Sequence, residues 1–239
     1  RTIGLELRQP RPLKKWPYRE GSAVKLFILA GHRNMEGERA FVQELEKLKG
    51  REALLRDNAN IAYKYDLGGG YHLSRGWEPL GLTGYYDTFG PELSFAHTLG
   101  SRVKGNLAIA KFTHSGSQII DWTPEGSMAR SRHLYPKFIQ FVKDSVGELS
   151  ARGQQVEIAG IFYHMGENDM SFHPYRKEAA ARVQAIVNES RKDLAQPGLR
   201  WFVSQQPPTD VEKLNTIDVV GNMAKVAAGD PNLIHLKAF

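Results

Sequence analysis

The sequence predicts one α/β domain in which a central parallel sheet carries helices on both faces. Segments with strand and helix patterns alternate four or five times along the chain, which is typical of parallel strands joined by right-handed crossovers. The 239 residues are 41% hydrophobic and 24% charged, enough for one sizeable core. No apolar run approaches the roughly 20 residues that a membrane-spanning helix needs. We therefore expect a three-layer α/β/α sandwich with about five parallel strands.

The first third of the chain supplies one strand, one helix and two irregular segments. Residues 1–23 contain three prolines and no clean periodicity, so we expect an extended, basic lead-in before the domain. Residues 24–30 are apolar except for Lys25, which predicts a buried strand. Residues 38–48 have apolar side chains at helical spacing. Residues 50–90 are rich in Gly, Tyr and Asp and predict a long irregular excursion, a type of segment that often has a functional role.

The remaining residues alternate between the two patterns. Apolar residues recur at three and four positions in the predicted helices and predominate in the predicted strands. We expect helices over 91–99, 135–149, 175–194 and 211–228, and strands over 107–113, 156–163, 201–204 and 233–236. With the strand at 24–30, these segments form a single domain over residues 24–239.

Charge and cysteine content exclude some classes of partner. The formal net charge is +6, and residues 1–20 alone contain six Lys and Arg against two Glu. The rest of the chain shows no basic stripe interleaved with aromatic residues, so we expect no nucleic-acid partner. The chain has no cysteine, which excludes disulfides and thiolate metal sites. Its first residue is Arg, not Met; a cleaved export signal and a trimmed chain both explain this, and an exported location is favoured.

Polar residues follow four of the predicted strands directly. In open parallel sheets, ligands bind beyond the carboxyl ends of the strands. Taken strand by strand, these residues are His32, Arg33, Asn34 and Glu36; His114, Ser115, Gly116 and Ser117; His164, Gly166, Glu167, Asn168 and Asp169; and Ser204, Gln205 and Gln206. Because four separate segments bring polar groups to one edge of the sheet, the sequence predicts a ligand site there.

Four segments, in order along the chain, resemble the motifs of a known enzyme family. Residues 30–37, AGHRNMEG, resemble AGQSNMxG; residues 90–96, GPELSFA, resemble GPE-x-x-FA; residues 111–122, KFTHSGSQIIDW, resemble K-x-x-x-GGT-x-x-x-x-W; and residues 162–169, FYHMGEND, resemble W-x-QGE-x-D. These are motifs of the SGNH-hydrolase superfamily, in its sialate O-acetylesterase and acetylxylan-esterase-like branch (carbohydrate esterase family six). The resemblance spans residues 24 to about 236 and implies a flavodoxin-like sandwich and the hydrolysis of esters on carbohydrates.

The resemblance places catalytic roles on three positions but supplies no nucleophile. Arg33 stands where the family has its serine, and a guanidinium is always protonated and cannot attack an acyl carbon. Gly116 and Asn168 match the positions that form the oxyanion hole. The last family block, Asp-x-x-His, is not found before Phe239. For ligand binding we expect the other polar residues of this edge: His32, Asn34, His114, Ser115, Ser117, Glu167, Asp169 and Gln205.

Three chemical alternatives remain open at this edge. Arg33 either forms a salt bridge with Glu36, Glu167 or Asp169, or acts as an anion clamp for a carboxylate, sulfate or phosphate. Ser115 or Ser117 is a candidate for a relocated nucleophile, with His114 or His164 as base. The histidines at 32, 114, 164 and 173 have metal-ligand chemistry, but none has the spacing of a strong zinc motif, and we expect no metal and no cofactor.

The sequence therefore supports three hypotheses about function. In the favoured one, the protein lacks the usual Ser-His-Asp mechanism and binds a glycan or anionic ligand, either a small molecule or a carbohydrate. In the second, it is an active hydrolase of acylated or sulfated carbohydrate that uses a relocated nucleophile or a metal. In the third, the strand ends belong to an interaction or assembly module. The oligomeric state is not predicted.

Overall fold

A sheet of eight strands forms the centre of the fold in the computed structural model, which describes residues 11–84, 87–206 and 217–236. Six strands run parallel in the order β2-β5-β1-β6-β7-β8, and the short β3 and β4 pair antiparallel with β2. The strands are β1 (Ala23–Gly31), β2 (Asn58–Leu67), β3 (His72–Leu73), β4 (Glu78–Leu80), β5 (Asn106–Thr113), β6 (Gln155–Met165), β7 (Trp201–Gln205) and β8 (Leu233–His235).

Helices cover both faces of this sheet. They are α1 (Arg33–Glu36), α2 (Val42–Glu46), α3 (Glu92–Arg102), α4 (Tyr135–Ala151), α5 (His173–Asp193) and α6 (Val219–Ala228). Alternate residues of β1 point to opposite faces: Leu26 and Ile28 join the core cluster of α4, α5 and α6, whereas Phe27 and Leu29 join the cluster of α3. The three-layer α/β/α architecture predicted from the sequence is therefore confirmed. In the described part of the chain, no helix is long and apolar enough to cross a membrane.

The structure corrects three of the predicted elements. Residues 50–90 are not an irregular excursion, since they contain β2, β3 and β4, and β2 adds a sixth parallel strand to the predicted five. The helix predicted over 38–48 is shorter than expected, since only α2, Val42–Glu46, lies within it, and α1 at Arg33–Glu36 is a separate short helix before it. The predicted helix over 211–228 is α6, which begins at Val219; residues 211–216 lie outside the described residues.

The described part of the lead-in packs against the sheet. Tyr18 is buried, donates a hydrogen bond to the Leu107 carbonyl and accepts one from the Ala62 N–H at 2.8 Å. Arg11 forms an ion pair with Asp57 at 2.5 Å. These contacts lie along β2 and β5, so this segment is fastened to the edge half of the sheet. Residues 1–10 lie outside the described residues.

A fully buried ion pair connects the sheet to α3 and to the turn after β1. Lys111 on β5 lies 2.6 Å from the Glu92 carboxylate and also donates to the Glu36 carbonyl at 3.1 Å. The second Glu92 oxygen accepts from the Gly90 N–H at 3.1 Å. Both charges are removed from water, and such a pair is tolerated only when partners satisfy the remaining groups, as they do here.

We predict that Lys111→Met lowers the free energy of unfolding by about 3–5 kcal/mol, because it leaves the Glu92 carboxylate buried and unpaired. The double variant Lys111→Met/Glu92→Leu should recover much of this loss, since it removes both charges. Urea unfolding of the single and double variants measures both values.

Lys64→Met is the matched control. Lys64 lies on the neighbouring strand β2 and pairs at 2.6 Å with Glu148, whose side chain is 42% exposed, so its loss should cost less. Equal losses for the two lysine variants, or a double variant no more stable than Lys111→Met, would contradict the prediction.

Candidate functional site

The carboxyl ends of β1, β5 and β6 lie side by side at the point where the connecting segments leave the sheet toward opposite faces. The segment after β1 leads to α2, which packs with α3 on one face, whereas β5 and β6 lead to α4 and α5 on the other. A crevice forms at such a point in open α/β sheets. Backbone hydrogen bonds hold the three strand ends together: the His32 N–H donates to the His164 carbonyl at 3.1 Å, and the His114 N–H donates to the Gly31 carbonyl at 3.0 Å. The predicted strand-end residues therefore do converge.

Two glycines allow the turn after β1 to approach its neighbours closely. Gly31 has φ 144°, and a Cβ there would lie 2.0 Å from the His164 carbonyl oxygen. Gly37 has φ 92°, and its Cβ would lie 1.9 Å from the Phe89 carbonyl oxygen. A side chain at either place would have to displace backbone, so glycine is required by space as well as by conformation.

The Glu36 carboxylate holds this turn from inside. It is buried, and its Oε2 accepts from the Thr113 hydroxyl at 3.0 Å, from the Gly68 N–H at 3.1 Å and from the Ser115 N–H at 3.1 Å. One carboxylate thus joins the ends of β1, β2 and β5. Its contacts are structural, and it makes no ion pair with Arg33.

Arg33 forms its ion pair with Glu38 instead. The Arg33 Nε lies 2.8 Å from Glu38 Oε2, and the two side chains are 32% and 41% exposed. The two atoms are close but lack hydrogen-bond geometry, so Nε has no hydrogen-bond acceptor among the described residues. The Ser115 hydroxyl donates to the same Glu38 oxygen. The expected salt bridge thus exists, but with a partner other than Glu36, Glu167 or Asp169.

Asn34, the next residue of the turn, belongs to a second polar group on the side of β6 and β7. Its N–H donates to Glu167 Oε1 at 2.7 Å, and its side-chain amide lies 3.3 Å from His164 Nε2 and 3.2 Å from Gln206 Oε1. His164 Nδ1 in turn lies 2.8 Å from the Ser204 hydroxyl. Asn34, His164 and Glu167 therefore lie together, as the sequence predicted.

His32 lies beneath these groups as a neutral, fully buried ring. It stacks against Trp122, with the ring centroids 5.9 Å apart, and its Nε2 lies 3.1 Å from the Tyr163 hydroxyl. Burial, and after it the charges of His164 and His114, lower the pKa of His32 to about 3. Although Glu167 lies 3.7 Å from Nδ1, an uncharged ring forms no ion pair with it. The structure gives His32 a packing role.

The positions that match the family oxyanion hole lie on the loops after β5 and β6. The Asn168 amide donates to the Ser117 carbonyl at 2.9 Å, which joins the two loops. Arg132 donates to the Gly116 carbonyl at 3.2 Å. The Gly116 N–H has no acceptor among the described residues, so it is a candidate donor to a ligand. The Ser117 hydroxyl is buried between the His114 carbonyl and the Trp122 indole N–H.

Two predicted binding residues lie below the surface of the site. Asp169 is buried and accepts from the Ile119 N–H through both oxygens, at 3.0 and 3.1 Å. Gln205 is 1% exposed, and its amide has no hydrogen-bond partner among the described residues. Strand alternation places it on the opposite face of β7 from Ser204. For both residues, ligand contact remains a prediction from sequence.

The predicted histidines and serines do not form the expected pairs. His114 Nδ1 has no hydrogen-bond partner among the described residues, and burial lowers the pKa of its ring. Neither Ser115 nor Ser117 contacts a histidine ring through its hydroxyl. The described residues contain no group of three or more His, Cys, Asp or Glu that could hold a metal ion.

Sequence reasoning missed one residue of this group, Glu38, and one contact, that of Ser204 with His164. Glu38 was assigned to a helix, although it stands five residues after Arg33 and is the partner of that guanidinium. Ser204 is the last residue of a predicted strand and was expected at this edge, but its contact with His164 depends on the register of β6 against β7, where the two residues are direct partners. Charge complementarity near Arg33 could have indicated Glu38, whereas no sequence signal gives the register.

The Asp169 carboxyl should make stability depend on pH. Burial raises its pKa to about 7, from about 3.9 in an unfolded chain. The folded state therefore binds the proton more tightly, and this group lowers stability as pH rises from about 4 to 7. We predict that Asp169→Asn, whose carbonyl can still accept from Ile119, gains about 1–4 kcal/mol relative to the parent over that range.

Urea unfolding at a series of pH values measures this difference. The replacement of Asp144 by Asn, on the exposed side of α4, controls for the change in charge. A stability difference between Asp169→Asn and the parent that does not vary with pH would show that the raised pKa is wrong.

Comparison with known proteins identifies the family. The family model described as "Carbohydrate esterase, sialic acid-specific acetylesterase" matches residues 23–238. No curated protein matches the chain in sequence.

Three solved structures share the fold. A protein from Arabidopsis thaliana has a TM-score of 0.61 at 17% identity, over 92% of this chain and 86% of that one. A carbohydrate acetylesterase from Xanthomonas citri has a TM-score of 0.63 at 14% identity, over 89% of this chain and 49% of that one. This chain therefore spans about half the length of that protein. NanS has a TM-score of 0.63 at 16% identity, over 92% of this chain and 79% of that one. The matched residues and the shared fold together show that the chain belongs to the sialic acid-specific acetylesterase family of carbohydrate esterases.

Proposed function

We propose that this protein binds a glycan or another anionic ligand at the carboxyl end of its sheet, without the usual Ser-His-Asp mechanism. The observation that carries the proposal is the cation at position 33. Arg33 stands at the nucleophile position of the family motif, and its side chain is 32% exposed at the crevice. A guanidinium offers a planar set of donors that suits carboxylate, sulfate and phosphate groups.

The Arg33–Glu38 pair is weak enough for a ligand to replace. Both side chains are about a third exposed or more, and ion pairs at such positions contribute about 0–1 kcal/mol. An anionic group that reached both arms of the guanidinium would form charge-assisted hydrogen bonds of about 1.5–3 kcal/mol each. The ligand is therefore expected to displace Glu38 from Arg33.

Other groups at the crevice fit a sugar ligand. The Gly116 N–H is a donor without an acceptor among the described residues, and the exposed Asn34 amide and the Ser115 hydroxyl add donors and acceptors on either side. The named carbohydrate acetylesterase among the neighbours in fold supports a carbohydrate as the ligand class. A sugar that carries an acidic substituent combines both requirements.

The usual esterase step lacks its nucleophile at position 33. Arginine cannot give up its proton to a base at ordinary pH. Loss of the triad serine alone typically removes several orders of magnitude of rate. A second candidate function, hydrolysis from another side chain, is favoured by one observation, the contact of Ser204 with His164 at 2.8 Å.

We predict that Arg33→Gln weakens the binding of a sulfated hexose about tenfold, which corresponds to about 1.4 kcal/mol. Glu38→Gln should strengthen the same binding by up to about fivefold, because it removes the competing carboxylate. Isothermal titration calorimetry with the sulfated hexose and with the unsulfated hexose measures these changes.

Two variants control for net charge. Arg102→Gln removes a cation at the far end of α3. Glu44→Gln removes an exposed carboxylate on α2 that pairs with Lys47. Neither variant should change the affinity for the sulfated hexose. Equal affinity of the parent and Arg33→Gln, or equal binding of the sulfated and unsulfated sugars, would overturn the proposal.

A further inference from the structure

A serine and a histidine lie in hydrogen-bond contact on neighbouring strands of the crevice. Ser204 on β7 and His164 on β6 are partners in the parallel ladder, and the Ser204 hydroxyl lies 2.8 Å from His164 Nδ1. Both stand near the carboxyl ends of their strands, where ligands bind in such sheets. In the described part of the chain, this is the serine hydroxyl that contacts a histidine ring.

The other ring nitrogen of His164 faces an acidic group. His164 Nε2 lies 3.7 Å from Glu167 Oε1, and the Asn34 amide lies 3.3 Å from it. A carboxylate at Nε2 favours the tautomer with its proton on that nitrogen. Amide orientations are assigned from the hydrogen-bond network, and the Asn34 amide also contacts Gln206 Oε1 at 3.2 Å. When both amides are turned together, the Asn34 oxygen faces the His164 proton and accepts from the Gln206 amide as well. The Nδ1 lone pair then accepts the Ser204 proton, as a general base requires.

The protonation state and the exposure of the pair also suit a reaction. Burial lowers the pKa of His164, and the nearby Glu167 opposes this only in part, so the ring is neutral and able to accept a proton at pH 7. The His164 side chain is 21% exposed, and Ser204 is half-buried, so a ligand in the crevice can reach them. Because both ring nitrogens are engaged, the Ser204 oxygen is the atom through which His164 can act on a ligand.

We propose that Ser204 is a nucleophile, that His164 is its general base, and that the Glu167 carboxylate orients the His164 ring. The three residues lie in a place different from that of the family serine. The Ser204 oxygen attacks the acyl carbon of a sugar ester while His164 Nδ1 takes the hydroxyl proton. The bond from the acyl carbon to the sugar oxygen breaks, and that oxygen takes the proton from Nδ1. Water then attacks the acyl-serine, gives a proton to Nδ1, and releases the carboxylic acid as Ser204 regains its hydrogen.

This inference goes beyond ligand binding and does not depend on anion capture by Arg33. A small neutral ester carries no anion, so its reaction with Ser204 is independent of the guanidinium. The family oxyanion positions, Gly116 and Asn168, lie on the loops of β5 and β6 and not on β7. We therefore expect acylation to be easier to detect than turnover, and the test is aimed at the covalent adduct.

The test is intact-mass and peptide-mapping mass spectrometry after incubation with p-nitrophenyl acetate. We expect one acetyl adduct, on Ser204, in the parent protein. Ser204→Ala should abolish it, and His164→Asn should slow its formation at least about a hundredfold, the range of general-base catalysis. Ser101→Ala, on the exposed end of α3 away from the crevice, should leave it unchanged.

The pH profile separates a base from a structural histidine. In the parent, the midpoint of the pH profile of adduct formation should lie below the ordinary histidine pKa, since burial lowers the pKa of His164. Circular dichroism of each variant reports whether it has folded, and Ser204→Cys, which keeps a nucleophile, should still acylate. No adduct on the parent, an adduct on Ser115 or Ser117, or an adduct that survives in Ser204→Ala would overturn the proposal.

Discussion

The buried carboxylate of Glu36 is the contact on which the rest of the crevice depends. Three donors from two other segments converge on one of its oxygens, and the Lys111 ammonium donates to its backbone carbonyl. A buried carboxylate is costly unless it is well hydrogen-bonded, and here the donors offset that cost. Because α1 ends at Glu36, these bonds fix the turn that carries Arg33 and Asn34 relative to β2 and β5.

The turn presents two neighbouring residues to two different sides of the crevice. Arg33 pairs with Glu38, which also accepts from Ser115 near β5. Asn34 reaches Glu167 and His164 on the β6 side. The bonds that hold the turn come from Glu36 and from backbone groups, and none comes from the side chain at position 33. The side chain at position 33 can therefore vary without loosening the framework of this turn.

The sequence predicted the fold better than it predicted the contacts. Strands and helices after residue 90 follow from continuous apolar runs and helical spacing, which local patterns reveal. β2 was missed although Ile61, Tyr63 and Tyr65 alternate toward one core cluster, because the Gly, Tyr and Asp content around it is typical of a loop. Motif resemblance placed the site at the strand ends. The register that joins His164 to Ser204 depends on the packing of two distant segments, so it could not be predicted.

The distribution of charge suggests that the two sides of the crevice select different ligands. Burial keeps His32 neutral and raises the pKa of Asp169 to about 7, so below pH 7 neither of these two groups adds much charge to the interior of the crevice. On the β5 side, Glu38 already balances the Arg33 cation, so a ligand gains there only if it brings its own negative charge to replace that carboxylate. On the β7 side, the Ser204–His164 contact involves two neutral groups, and an anion placed beside Glu167 would be repelled. A sugar with an acidic group at one position and a neutral ester at another would satisfy both sides at once.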